Sequence, residues 1–510
     1  MSILGIDVGT TGCKAVVFSE EGAILSSAYV EYDIKRRGAG WAELDAREVW
    51  ELVKGAVRRA CEPVASTDPI RALSTSSMGE AAVAVSEDRR ILAPSILLND
   101  IRGAEYVEQL RRRLSDEECY RISGNPIGNQ YGLTKLMWLA EHETDLYART
   151  HKFLNWGSFV AFMLGAEPKV DYCLANRDLL FDLHAEDWSP RLLAASGIDR
   201  AKLPDCVAPG TIIGEVDRTL AGELKLPPGA RIVAGAHDQC ANALGCGVIE
   251  PGRAMYGMGT FPTIVPVYER PPEAGPMVRF GLNTEHHAVP GRYVSFIYHM
   301  GGSVVKWYRD TFAAAEHRAA REEGGDVYAD LFAELPDEPG PLLVLPHFAP
   351  MGPPDFVDDS SAVILGLTNH TARGEILKSI LEANAFALAV SVENLKSLGM
   401  GIVGYSAVGG GSRSDAAVQL YADIMGVPFV RPKITEAGAF GAALLAGLAT
   451  GIYRSPEEAV RELVTVERAF EPDRKRNARY GELYGQYLRL REVVGELARD
   501  WVRFQAEGRR

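Results

Sequence analysis

Cysteine is scarce and scattered in this sequence. The seven, Cys13, Cys61, Cys119, Cys173, Cys206, Cys240 and Cys246, are odd in number and include no C-x-x-C pair, which argues against a disulfide framework or a structural zinc site and fits a reduced, cytoplasmic setting. Positive charge is not in excess either. Among 510 residues, 54 Lys and Arg face 68 Asp and Glu, a formal charge of −14, the wrong sign for a general nucleic-acid binder or a partner of acidic membranes. Long apolar runs are missing: the longest charge-free stretch, Ala437 to Tyr453, is short and rich in Gly and Ala, which suits a buried helix better than a membrane span. Met1 to Gly9 reaches an acid by position 7 and shows no cationic start or cleavage site, unlike a signal peptide. Also absent are the phosphate loop G-x-x-x-x-G-K-[ST], H-E-x-x-H and the nucleophile elbow G-x-S-x-G, each of which would name a mechanism at once.

What is present alternates between strand and helix signals, the pattern of an α/β chain whose sheets are covered by helices. Ile3 to Ile6 and Ala15 to Phe18 flank a polar turn and predict a hairpin, with a third strand over Ala23 to Tyr32. Apolar residues at helical spacing from Asp45 to Ala60 follow an Asp suited to capping, and Ile70 to Ser74 returns to strand. A second hairpin is predicted from Arg253 through Thr263-Ile264-Val265, and a break at Val248 to Gly252 divides the chain into 1–248 and 249–510. Asp473 to Phe504 carries apolar residues from Tyr480 to Trp501 every three or four positions, an amphipathic helix packed on the body.

Three small-residue turns could carry chemistry. Asp7-Val8-Gly9-Thr10-Thr11-Gly12-Cys13-Lys14 lies between two strands, so its amides, Thr10, Thr11 and Lys14 could approach phosphate oxygens while Asp7 holds Mg²⁺ through water. Gly257-Met258-Gly259-Thr260 is a second turn, and Gly409-Gly410-Gly411-Ser412 with Ser414 a third, placed before a helix whose N-terminus offers free N–H donors. Each alone is equally an ordinary tight turn. Gly235-Ala236-His237-Asp238-Gln239 puts an acid after an apolar strand, where it could accept a proton from a substrate hydroxyl or simply cap the following helix.

In their joint order these segments resemble the FGGY carbohydrate kinases of the sugar kinase, heat-shock protein and actin superfamily, over nearly the whole chain. Ile6 to Lys14 matches the first phosphate motif, Gly40-Trp41-Ala42-Glu43 the G-W-x-E segment, and Asn99-Asp100-Ile101-Arg102 the (N/Q)-D-x-R motif. Asp171 to Asp182 matches the stretch ending in L-F-D, Gly235 to Asp238 the G-x-x-D motif, and Gly259-Thr260 the second phosphate turn. Gly301-Gly302-Ser303 with Trp307, Gly409 to Gln419, and Thr435 to Ala443 complete the series. The resemblance implies two ribonuclease H-like (actin-like ATPase) domains, ATP and Mg²⁺ in the cleft between them, and transfer of the γ-phosphoryl group to a sugar or polyol hydroxyl. It assigns Asp238 as base, Asp7 and Asp238 to the metal, Gly9, Thr10, Thr11, Lys14, Gly259, Thr260 and Gly302 to the phosphate side, and Gly410, Gly411 and Ser414 to the adenosine. Dimers are common in the family, and the last helix could pack back on the N-terminal domain.

Acceptor contacts are expected from Gly79, Glu80, Asp100, Asp238 and Gln239, with Gln130 or Tyr131 at an aromatic sugar contact. Ser77-Met78-Gly79-Glu80 departs from both best-known branches: xylulose kinases carry Gln-Met-His there and glycerol kinases Gln-Arg-Glu. Asp100 keeps a carboxylate that could accept from two vicinal hydroxyls. A ketopentose such as xylulose leads the expected acceptors, then a short polyol or tetrose, then an aldonate, which would want a cation not identifiable in the sequence. The alternative from another class is a nucleotide-binding regulatory protein that has lost transfer.

Overall fold

A computed structural model describes residues 2–259, 262–299, 301–348, 352 and 360–507. The expected hairpin at the start is β1 (Ser2–Val8) and β2 (Gly12–Ser19), followed by β3 (Ile24–Glu31). α1 (Ala46–Cys61) begins at Asp45, whose carboxylate accepts from the amides of Arg47 and Glu48, and it buries Val49, Trp50, Val53 and Val57 against the sheet. With β4 (Ile70–Ser77), β5 (Ile212–Glu215) and β6 (Arg231–His237) the first sheet has the order β5-β6-β4-β1-β2-β3. Its central strands β1, β4 and β6 run parallel. β6 leads directly into α2 (Asp238–Gly245).

The second half repeats this plan. β7 (Arg253–Gly257) and β8 (Thr263–Tyr268) form the predicted hairpin, β9 (Gly404–Val408) and β10 (Phe429–Pro432) add in parallel, and β11 (Val466–Phe470) closes the edge antiparallel. Across each sheet the order is therefore hairpin partner, first strand, two parallel strands and an antiparallel edge. Around the second sheet lie α3 (Arg373–Ser397), α4 (Asp415–Met425), α5 (Ala437–Ala449) and α6 (Arg474–Glu507).

The apolar stretch from Ala437 is indeed a buried helix, and its small residues have a geometric purpose. A Cβ on Gly441 would stand 1.9 Å from the Ala241 carbonyl oxygen of α2, one on Gly245 2.0 Å from that of Ala437, and one on Gly5 1.9 Å from that of Ala439. Only glycine lets α5 lie against both α2 and β1. It is thus α5, not the last helix, that returns to the first sheet. Tyr480 of α6 donates to Glu382 of α3 at 3.0 Å and Asn477 to the Asp423 carbonyl of α4 at 2.9 Å, both within the second half. The packing of α6 also stops short of the expectation, because Val493, Leu497, Trp501 and Phe504 are exposed.

Candidate active site

The ends of parallel strands gather the predicted residues. Asp7 pairs in register with Ser76, and Val8 and His237 both pair with Ser77. The carboxyl ends of β1, β4 and β6 therefore deliver the Gly9 turn, Met78-Gly79-Glu80 and Asp238 to one edge of the sheet. In the second half Gly257 pairs with Val408, so the Gly259 and Gly409 turns leave the corresponding edge together. Met258 sits between them, its carbonyl accepting from the Gly411 amide at 2.9 Å.

The first phosphate turn closes through Gly9 N–H to the Gly12 carbonyl at 2.9 Å, and the Tyr32 hydroxyl is shared between the Gly9 and Gly12 carbonyls at 2.7 and 3.0 Å. Thr10 is half-buried and Thr11 exposed. Lys14 reaches Glu436 at 2.6 Å, just ahead of α5. Asp7 accepts from Ser76 Oγ at 2.7 Å and faces the start of α5, where a Cβ on Gly438 would lie 3.0 Å from it. Burial raises the Asp7 carboxyl above its usual range; Ser76 works against this, Glu436 adds to it and Lys14 opposes it. Gly410 is exposed, Gly411 half-buried, and Ser414 caps α4 by accepting from the Ala417 amide at 3.3 Å. Gly302 is the second residue of a helix over Gly301–Phe312. Thr260 lies outside the described residues.

Asp238 is the first residue inside α2, and no side chain caps that helix, so the simple capping role is not what its carboxylate performs. Its Oδ1 is buried without a hydrogen-bond partner; His237 Nε2 stands 3.2 Å away but out of line. Burial, then the charges of Asp7 and Glu80, push the Asp238 carboxyl up to about 7, with Gln239 opposing. His237 is kept neutral by burial and by Arg177. A carboxylate poised near neutrality with a free oxygen has the properties of a general base.

Asp7 and Asp238 also fit a divalent cation. Their charges oppose one another, and one oxygen of Asp238 has no partner. Among the described residues no three acids, His or Cys cluster as a metal cage.

The acceptor side is where the structure departs most from expectation. Asp100 is buried and its carboxylate is full: Oδ1 accepts from Arg102 N–H and Nε at 2.8 and 2.9 Å, and Oδ2 from the Ala42 amide and Arg102 Nη2, both at 2.6 Å. Four bonds exhaust its acceptor capacity, so a substrate-binding role does not fit this geometry. Arg102 also pairs with Glu43 at 2.7 Å and lies on Trp41, so Asp100 stitches the G-W-A-E and N-D-I-R segments together.

Glu80, by contrast, meets a cation that sequence reasoning passed over. Arg177 follows the short helix Tyr172–Asn176 and donates through Nε and Nη2 to Glu80 Oε1 and through Nη1 to Glu285 Oε1, all three residues being buried. The guanidinium lies over Tyr131 and Phe296. A Cβ on Gly79 would come within 2.8 Å of Arg177 Cγ, so the residue that matched neither branch of the family is the one that gives Arg177 its room. Tyr131 donates to Asn125 at 2.9 Å, and Gln130, Tyr131, Arg177, Asn283, Phe296 and Tyr298 line a cavity of about 20 Å³, the size of one water. Gln130 and Tyr131 both border it. The only signal for Arg177 was a charged Arg-Asp pair inside the apolar run Cys173 to Phe181. A far larger cavity, about 850 Å³ between Tyr268 to Pro276 and Leu398 to Ile402, is lined by none of these residues.

Two halves of one topology, each carrying glycine turns at the ends of parallel strands, define a two-domain kinase of the actin-like ATPase fold. The comparisons with known proteins place it more closely: residues 2–245 match the N-terminal domain and residues 276–450 the C-terminal domain of the FGGY family of carbohydrate kinases, and the chain belongs to that family. A glycerol kinase of Janthinobacterium sp. is 30% identical over 92% of this chain and 94% of its own. A xylulose kinase of Lactococcus lactis is 25% identical over 99% of both. The crystal structure of a xyloylose kinase from Brucella ovis superposes with a TM-score of 0.85 at 26% identity, covering 98% of this chain and all of its own. Among the described residues no helix is long and apolar enough to cross a membrane.

Proposed function

We propose that this carbohydrate kinase transfers the γ-phosphoryl group of ATP to a hydroxyl of a small sugar or polyol, with Asp238 as the general base. The observation that carries this assignment is the buried, unpartnered Oδ1 of Asp238, held near neutrality at the head of α2, within the influence of the Asp7 charge and not engaged as a helix cap. In the transfer a bond forms between the acceptor oxygen and the γ-phosphorus, the bond to the bridging oxygen breaks, ADP departs, and the hydroxyl proton passes to Asp238. The Gly9 turn, braced by Tyr32, and Lys14 bind the phosphates, while the Gly410-Gly411 turn with the α4 N-terminus lies by the nucleotide. Mg²⁺, held by Asp7 and Asp238, would neutralise phosphate charge. Glu80, Gln130, Tyr131 and Gln239 take the acceptor; xylulose-like ketopentoses and short polyols such as glycerol or erythritol are the first two classes to compare. Function in the cytoplasm and as a homodimer belongs to the same proposal.

The test is ADP release with Mg·ATP across xylulose, ribulose, glycerol, erythritol, erythrulose, gluconate and common hexoses, with Asp238→Asn as the blank. A responder that is silent in the variant supports the assignment. Intact ATP binding with no acceptor-dependent release from any compound favours a non-catalytic nucleotide-binding role instead.

A further inference from the structure

Given the kinase assignment, we infer that Arg177, Glu80 and Glu285 form a specificity filter that admits neutral polyhydroxy acceptors and turns away those bearing a carboxylate. The cluster begins with one guanidinium shared between two buried carboxylates, Glu80 from the end of β4 and Glu285 from the second half of the chain. Arg177 is the cation an aldonate would require, yet three of its five N–H donors are already committed to these acids. With both acids ionised the trio carries a surplus negative charge; burial pushes the Glu285 carboxyl up to about 7, so the surplus is complete only above neutral pH.

Glu285 Oε1 is held by Arg177 and by Asn283 Nδ2 at 2.8 Å, while its Oε2 is buried with no partner. An unsatisfied buried carboxylate oxygen calls for a donor, and a substrate hydroxyl supplies one where a carboxylate cannot. Asn283 and Arg177 both line the small cavity.

Continuity with the reacting group makes this more than a structural ion pair. Phe296 lies against both Arg177 and His237, the latter with ring centroids 4.9 Å apart, and His237 precedes Asp238. Gly79 packs where the Arg177 stem and the His237 ring meet. Glu80 is near enough to act on the Asp238 carboxyl. The room left by Gly79, the cation that fills it and the acids that neutralise that cation thus form one unit beside the base.

The filter is tested by kcat and KM for matched acceptors that differ by one carboxylate: glycerol with glycerate, erythritol with erythronate, and xylulose with xylonate. The same pairs are measured for Glu80→Gln and Glu285→Gln, which keep shape while removing charge. In the wild type the neutral partner of the best pair should lead by at least ~100-fold in kcat/KM, since like-charge juxtaposition is costly. Glu285→Gln should narrow that ratio by ~10-fold or more, chiefly through a lower KM for the aldonate. A wild type that prefers the aldonate, or a ratio unmoved in both variants, overturns the filter while leaving the kinase intact. Because the wild-type ratio requires no substitution, poor folding of a variant cannot rescue the proposal. Failure of the kinase assignment itself would show differently, as intact ATP binding with no acceptor-dependent ADP release from any compound.

Discussion

If Asp238 is the base, its ionisation governs the acid limb of the pH profile. Its carboxyl is pushed up to about 7 by burial first and then by Asp7 and Glu80. The transfer needs the ionised form, so kcat/KM for the acceptor should be level above about pH 8, half-maximal near 7, and fall roughly tenfold per unit below 6. Activity is therefore gained as pH rises through the carboxyl's own value, opposite to a general acid. Glu80→Gln removes one of the charges that raise it, so the acid limb should move to lower pH even where the maximal rate falls. Asp238→Asn should lose about a hundredfold or more and show no acid limb in this range. The measurement is coupled ADP release from pH 5.5 to 9, with the coupling enzymes in excess and acceptor-free ATP hydrolysis subtracted at every pH. A flat wild-type profile between 5.5 and 8, or an Asp238→Asn enzyme within tenfold of wild type, would refute the assignment.

Other consequences follow from separate parts of the structure. Asp100→Asn should lower stability by about 3 kcal/mol, because it breaks a buried pair with Arg102, yet leave the KM of the acceptor nearly unchanged in the surviving fold; thermal melts beside acceptor kinetics separate these effects. Lys14→Ala should raise the KM for ATP about tenfold with little change for the acceptor, as loss of a charged phosphate contact predicts, and isothermal titration with a nucleotide analogue checks it. Gly441→Ala drives a Cβ into the Ala241 carbonyl and should cost about 1–3 kcal/mol, seen as a lower denaturation midpoint. Gly79→Ala should crowd the Arg177 stem and raise the acceptor KM while sparing that for ATP.

Much of the framework could be read from the chain because it is written in local signals. Alternation of apolar residues and polar turns located the two hairpins, Asp45 announced the start of α1, and the charge-free Ala437 segment declared a buried helix. The order of small motifs was enough to place the chain among the FGGY kinases and to single out Asp7 and Asp238. Where two roles shared one residue type, local pattern could not choose: an Asp after a strand caps a helix as readily as it takes a proton. That choice rests on Oδ1 being buried without a partner, a property of packing.

Tertiary structure decided the rest, because it concerns residues far apart in the chain. Asp100 was a plausible hydroxyl acceptor until the fold brought Ala42 and Arg102 to fill its oxygens. Arg177, 97 positions from Glu80 and 108 from Glu285, left only a faint trace in an apolar run, since a buried cation is recognisable only when its counter-charges are in view. Gly79, expected among the acceptor contacts, is where the Arg177 stem finds its space. The helix returning to the first sheet was likewise α5 rather than α6, because close approach depends on which surfaces lack side chains at the same crossing. Sequence determined the elements and the family, for these depend on neighbours along the chain; partners across space were decided by the fold.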